Sequence, residues 1–305
     1  MKPTFLLPLA AAASWFIQPV LAADGPPEGG AEKIAAALPD KAFAKPAKPR
    51  KILIFARTNG FHHDSVGTGK VALTELGKKT GAWETVVSDD LANFEPKTID
   101  QFDGIVFLST TGEPFDPSKD EAAKMDDQAK KDAAKRADEL KKSLMDFVKG
   151  GKAFIGIHAA TDTFYNWPEY GEMIGGYFDG HPWGAGTQVS IKVEPGQEKF
   201  PLVAMFDGKN VDFKEEIYQL KTPYDSKKVH MLLRLDPEKS DMKVQGLHRE
   251  DKDWGVSWVK SWGKGRVFYC SLGHNHEMYW NPTVLRHYLA GIQWALGDYK
   301  VKADK

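Results

Sequence analysis

Apolar residues fall in two different rhythms along this chain, and the change of rhythm predicts how it is built. The runs KILIFA (51–56), GIVFLST (104–110) and AFIGIH (153–158) are continuously apolar, as strands buried on both faces should be. WETVVSD (83–89) reads as a further strand, with a helix-like segment near 66–80 and a long helical stretch ahead of residue 153. Strands alternating with helices imply right-handed crossovers and a mainly parallel sheet covered on both sides. From about residue 187 the pattern turns to period two in TQVSIKV, VHMLLRL, GVSWVKSW and GRVFYCSL. These predict antiparallel strands, with Gly263-Lys264-Gly265 as a hairpin turn between the last two. A final helix over roughly 282–296 sets Leu285, Leu289, Ile292 and Leu296 on one face.

The fold class that follows is α/β: a flavodoxin-like or class I glutamine amidotransferase-like three-layer sandwich, with a mainly parallel central sheet and added antiparallel strands. Ligands of such sheets bind beyond the carboxyl ends of the strands. Three segments lie there, Arg57 to Ser65, Ser109 to Phe115 and His158 to Trp167, and they should converge on one rim. The stretch Gly156-Ile157-His158-Ala159-Ala160 is the most informative of them. It has the small-x-nucleophile-x-small form of a sharp strand-to-helix turn, with a histidine at the centre.

Between these strands, KDEAAKMDDQAKKDAAKRADELKKS carries charges of both signs and many alanines. It reads as a solvated helix that becomes amphipathic only near Leu140, Leu144 and Phe147. At the other extreme, Lys2 precedes an apolar run from Phe5 to Leu21, and small residues stand at Ala22 and Ala23. That reads as a signal peptide over residues 1–23 and an exported, periplasmic or extracellular protein. A membrane anchor fits less well, because Pro8, Gln18 and Pro19 interrupt the run. Residues 24–48, rich in Pro, Ala, Gly and Lys, read as a flexible lead-in, which leaves residues 49–299 as one domain.

Charge and cysteine usage narrow the chemistry. The 41 basic and 42 acidic residues balance, so nothing favours nucleic acid or an anionic membrane as partner. Cys270 is the one cysteine, which excludes an intramolecular disulfide, and its apolar surroundings predict a buried thiol. TNGFHHDSVGTGK bears glycines yet matches neither the P-loop nor the dinucleotide fingerprint. No bound nucleotide is expected.

The segments TNGFHHDS, GIHAATDTFYNWPEYGEMIGGYFDGHPW, EEIYQ and GRVFYCSLGHNHEMYWNPTVLRHYLAGIQWAL resemble the ThuA family, the trehalose-utilisation-like proteins related in fold to class I glutamine amidotransferases. The resemblance spans about residues 51–298. It implies a role in sugar utilisation and the amidotransferase-like fold. The chain departs from true amidotransferases by placing His158 at the nucleophile turn and Cys270 inside a strand, so a cysteine-thioester mechanism is not implied. GHNHE (273–277) echoes their late His-x-Glu pair and brings His274 or His276 to the rim.

Histidines and carboxylates then supply the candidate chemistry. His158, beside Asp162, can act as general acid, general base or metal ligand. Of the adjacent His62 and His63, only one can face the pocket, and His63 is chosen. Glu216 rather than Glu215 shares a face with Tyr218 and is the inward carboxylate. With His274, these make a proton-transferring set of His158, His63, Asp162, His274 and Glu216. His181 lies in a loop stiffened by Pro182 and, with Trp167, Tyr177 and Trp183, could wall a sugar site; the three aromatics could equally be core. His158, His181, His274 and Glu216 would together suit a divalent metal such as zinc, iron or manganese, although no short ligand motif supports one. His230, His248 and His287 read as structural or surface residues. Two functions fit: an enzyme acting on a glycoside or oxidised (keto) sugar by histidine and carboxylate acid-base chemistry, metal-assisted or metal-free, and a noncatalytic carbohydrate-binding protein. Fold alone does not separate them.

Overall fold

The computed structural model describes residues 25–303; the segment read as a signal peptide lies outside the described residues. After helix α1 (Gly30–Ala37) come β1 (Lys51–Phe55), α2 (Val66–Thr80), β2 (Glu84–Val87), β3 (Gly104–Leu108), α3 (Lys119–Ala122), α4 (Asp127–Lys149) and β4 (Ala153–Ile157). The chain continues with α5 (Pro168–Ile174), β5 (Tyr177–Phe178), β6 (Gln188–Val193), β7 (Val211–Lys214), β8 (Leu220–Lys221), β9 (His230–Leu235), β10 (Gly255–Trp262), β11 (Gly265–Cys270) and α6 (Pro282–Ala295). Nine of these strands form one sheet in the order β2-β1-β3-β4-β11-β10-β9-β6-β7. The first five run parallel, and the pairs from β11 onward are antiparallel.

The continuous apolar runs have the cause the pattern predicts. In β1, Ile52 and Ile54 face one core cluster with α2 and α6, while Leu53 and Phe55 face the other with α4. Both faces of the parallel half are thus covered by helices. The charged stretch before β4 buries Leu140, Leu144 and Phe147, as its late amphipathic pattern predicts. No helix among the described residues is long and apolar enough to cross a membrane.

Three local expectations need correction. The lead-in over 24–48 contains α1, whose Ile34 together with Leu38 is buried in the core, and a docked strap. Phe43 donates its N–H to Gln293 Oε1 at 2.9 Å, and Arg50 reaches Asp298 at 2.7 Å. A few anchors at wide spacing hold this segment, so it carries no sustained apolar period. Second, β11, whose period-two pattern predicts an antiparallel strand, pairs antiparallel with β10 but parallel with β4 and is the seam of the sheet. Third, the turn after β4 leads into a single 3-10 turn, His158–Thr161, rather than directly into a longer helix.

That seam positions the site. Leu108 of β3, Ile157 of β4 and Cys270 of β11 stand in register, so residues 109, 158 and 271 leave the sheet side by side.

Candidate metal and acid-base site

His158 is the first residue past β4, fully buried, with φ +53°. A side chain with a Cβ pays on the order of 1–3 kcal/mol to hold that conformation, so the surroundings must fix it. They do: the Tyr269 hydroxyl donates to the His158 carbonyl at 2.8 Å, and the imidazole Nδ1–H donates to the Ser271 carbonyl at 2.7 Å. Because Nδ1 carries the proton, the Nε2 lone pair points away from the sheet, into the rim.

Three side chains with metal-binding atoms surround that lone pair, which also faces the Tyr218 hydroxyl. His63, at the end of the loop leaving β1, places Nε2 3.2 Å from His158 Nε2. His274, beyond β11, places Nδ1 3.3 Å from the same atom. Glu216 Oε1 lies 3.6 Å from His158 Nε2 and 3.2 Å from His274 Nδ1. All four donor atoms fall within 4.8 Å of one another. Donors about 2.0–2.2 Å from a tetrahedral cation stand about 3.3–3.6 Å apart, and these four spacings fit that edge length.

A buried glutamate sets the position of His274. Glu215 is fully buried and accepts three backbone N–H groups, from Gly273 and His274 through Oε1 at 2.8 and 2.6 Å and from Asn275 through Oε2 at 3.1 Å. Gly273 has φ +141° and passes so close that an added Cβ would stand 2.8 Å from the Tyr279 hydroxyl and 3.2 Å from His158 Cβ. Only glycine fits that passage. The Ser65 hydroxyl donates to the Gly273 carbonyl at 2.9 Å, which ties the loop to the start of α2.

Burial dominates the electrostatics. It lowers the His63 pKa to about 4 and holds His158 well below the ordinary value, each helped by the neighbouring histidines. Burial also pulls His274 down, but its hydrogen bond to Glu216 and that carboxylate's charge outweigh it, and the net shift is upward. Burial raises Glu215 to about 7 against the lowering effect of its three N–H partners. Burial thus favours the neutral, metal-binding form of His63 and His158, whereas His274 would have to give up a proton to bind a metal.

Around this quartet the other candidates separate. His181 is half exposed and sits at the mouth, its Nδ1 3.3 Å from Glu216 Oε2. Among the metal candidates, then, it is His63 that joins the quartet, and His181 stands one carboxylate away. Asp162 is half-buried at the rim and accepts from the Tyr165 hydroxyl; burial raises its pKa. Trp183 belongs to the core: it is 0% exposed and donates its indole N–H to the Asp241 carbonyl. Tyr177 is also buried, and its hydroxyl donates to the Trp167 carbonyl and accepts from the Gly171 N–H at 3.1 Å. Trp167 is half-buried against Tyr170 and Phe164, in the cluster that covers α4. These aromatics pack the fold and do not wall the site. Cys270 is buried within β11, and burial pushes its thiol up to about 12, where it is no nucleophile.

His62 is exposed, while His276 faces Thr68 at 2.7 Å and stacks on Trp280, outside the quartet. His287 is held between Ser257 and the Leu202 carbonyl, and His248 pairs with Asp179. Sequence reasoning missed Glu215 and Tyr218. Tyr218 is buried, with its hydroxyl 2.9 Å from His158 Nε2. The EEIYQ spacing does put Glu216 and Tyr218 on one side, but the other side is buried too.

The ThuA family, described as trehalose utilisation, matches this chain over residues 51–127 and 128–295. No curated protein matches it. Among solved structures, a ThuA-like protein from Bacteroides uniformis is 20% identical, with a TM-score of 0.57 over 83% of this chain and 94% of that one. A second, from Parabacteroides merdae, is 14% identical, with a TM-score of 0.53 over 85% and 94% of the two chains. A cytoplasmic protein from Salmonella typhimurium is 11% identical, with a TM-score of 0.53 over 81% and 98%. At these identities the likeness is one of fold.

Proposed function

The chain belongs to the ThuA family, and from that premise we propose that it is an exported, metal-dependent enzyme acting on a glycoside or oxidised (keto) sugar. The observation that carries the reading is the convergence of His63, His158, His274 and Glu216, whose donor atoms all lie within 4.8 Å of one another and in four pairs 3.2 to 3.6 Å apart. One shared proton could satisfy a single pair among these nitrogens. A cation satisfies all four donors, and the mixed nitrogen and oxygen set suits zinc, iron or manganese.

When bound, such an ion supplies Lewis-acid stabilisation of negative charge on a substrate oxygen. The chain's own residues would do the rest. Glu216 faces the cluster with Oε1 and His181 with Oε2, so it couples the buried quartet to an imidazole that meets solvent. His181 is the group placed to exchange a proton with water or substrate, and Glu216 orients it. The family's description as trehalose utilisation supports a carbohydrate as the substrate class.

The test is turnover of a panel of glycosides and their keto derivatives by the purified chain, first stripped with a chelator and then reloaded with zinc or manganese. Product that appears only after reloading is the expected result. Sugar binding by the stripped chain, with no turnover in any metal-loaded sample, would contradict the reading and point to a binding protein.

A further inference from the structure

Tyr218 is 3% exposed, and its hydroxyl has one hydrogen-bond partner among the described residues, His158 Nε2 at 2.9 Å. Nε2 is the very atom that faces His63, His274 and Glu216. With Nδ1–H committed to the Ser271 carbonyl, the ring has one lone pair to give. It can accept from Tyr218 or bind a cation, and it cannot do both.

The phenol has little freedom to turn elsewhere. Its ring lies 4.8 Å from that of His158 and packs edge-on against Phe178 at 4.5 Å. Because Nε2 offers only a lone pair, the phenol O–H is the donor in this contact. Once the lone pair is taken, the buried O–H is left without an acceptor, which is unfavourable until another oxygen takes its place.

We propose that Tyr218 is a catalytic residue of the metal-loaded site, whose hydroxyl is handed from His158 to the substrate oxygen that enters the cluster and stabilises the charge developing there. This rests on the metal reading above and adds a residue to it. The hydroxyl forms a hydrogen bond and keeps its proton, so no bond to it is made or broken.

The experiment compares the full chain with Tyr218→Phe in three measurements: melting temperature, zinc affinity by competition with a chromophoric chelator, and binding of acetohydroxamate to the cobalt-loaded protein by absorbance. Phenylalanine fills the same volume, so the fold should persist. Zinc affinity should stay equal or rise by up to about tenfold, because a competing hydrogen bond has gone. Acetohydroxamate, which presents an oxyanion, should bind about 10- to 100-fold more weakly. Equal acetohydroxamate affinity in the two proteins overturns the proposal while leaving the metal reading intact, and so does loss of zinc by a folded Tyr218→Phe. A wild-type chain that binds neither zinc nor cobalt overturns the metal reading, and this proposal with it.

Discussion

In the parallel half of the sheet, three histidines leave the ends of β1, β4 and β11 and stop within reach of one point. In the antiparallel half, the segment 215–219 that follows β7 brings a carboxylate and a phenol to the same point without being part of a sheet strand. The two contributions are secured differently. Strand register holds His158, since Leu108, Ile157 and Cys270 align across three strands. The segment from β7 is held by main-chain bonds from Glu215, Ile217 and Gln219 to Thr187, Trp183 and Gly180, and the Glu215 carboxylate in turn holds the 273–275 loop that carries His274. A ligand set by register can be removed but hardly displaced, whereas one set by a single buried carboxylate can be detuned.

The largest effect should therefore come from the register-held side. His158→Gln is expected to fold, to weaken zinc binding by more than about 100-fold, beyond the range seen for residues behind the ligands, and to lower turnover on the order of 100-fold to 10,000-fold. Melting temperature and zinc titration on one preparation check this. Unchanged zinc affinity would make the imidazole a turn fastener.

Glu215→Gln should do less. The amide can still accept from Gly273 and His274, but its NH2 would face the Asn275 N–H, which costs about 1–3 kcal/mol of stability. Zinc affinity should drop about 10- to 100-fold as His274 shifts, and Glu215→Asp should recover part of it. A variant with lowered melting temperature and full affinity would show that the loop, and not the ligand, depends on Glu215.

Acid should distinguish the donors within the cluster. His63, at about 4, and His158 are already neutral near pH 6, while His274 is raised and must release its proton to a metal. Zinc affinity should thus fall about tenfold per pH unit from 6.5 to 5, one proton per ion, and more steeply on approaching 4. A threefold steeper slope throughout would mean ordinary solvated imidazoles. In the metal-free chain the unfolded state protonates His63 first, so its contribution to stability is full above pH 6.5 and is lost as the pH falls toward 4. Glu215, raised to about 7, acts with the opposite sign: it favours the fold below its unfolded value and loses that contribution as the pH rises through 7.

The smallest effect is expected for Cys270→Ser, at most about 1–3 kcal/mol from a buried hydroxyl. Zinc affinity and turnover should be unchanged, and a selective loss of turnover would restore a role for the thiol.

Much of the parallel half was readable because burial on both faces leaves a continuous apolar run, and strand ends then locate the rim. Alternation says that only one of His62 and His63 faces the rim and sets Glu216 beside Tyr218, but it does not choose between the two histidines. Alternation could not reveal that Glu215 is buried as well, since it tells which side chains share a face and not what lies against the other. Trp183 and Tyr177 misled for a related reason. An aromatic in a glycine-rich loop looks the same in sequence whether it meets a ligand or the core, and here Trp183 pairs with Ile217 across an isolated bridge that holds Glu216 in place. The N-terminal strap was missed because Gln293 and Asp298, its partners, lie some 250 positions away.

The most direct test of the account is equilibrium zinc binding to the purified chain near neutral pH, read by metal analysis after dialysis, with His158→Gln alongside. One equivalent held by the wild type and lost from the folded variant is the predicted result. A wild-type chain that retains no metal, or a variant that retains as much, would contradict the claim that these four side chains form a metal site.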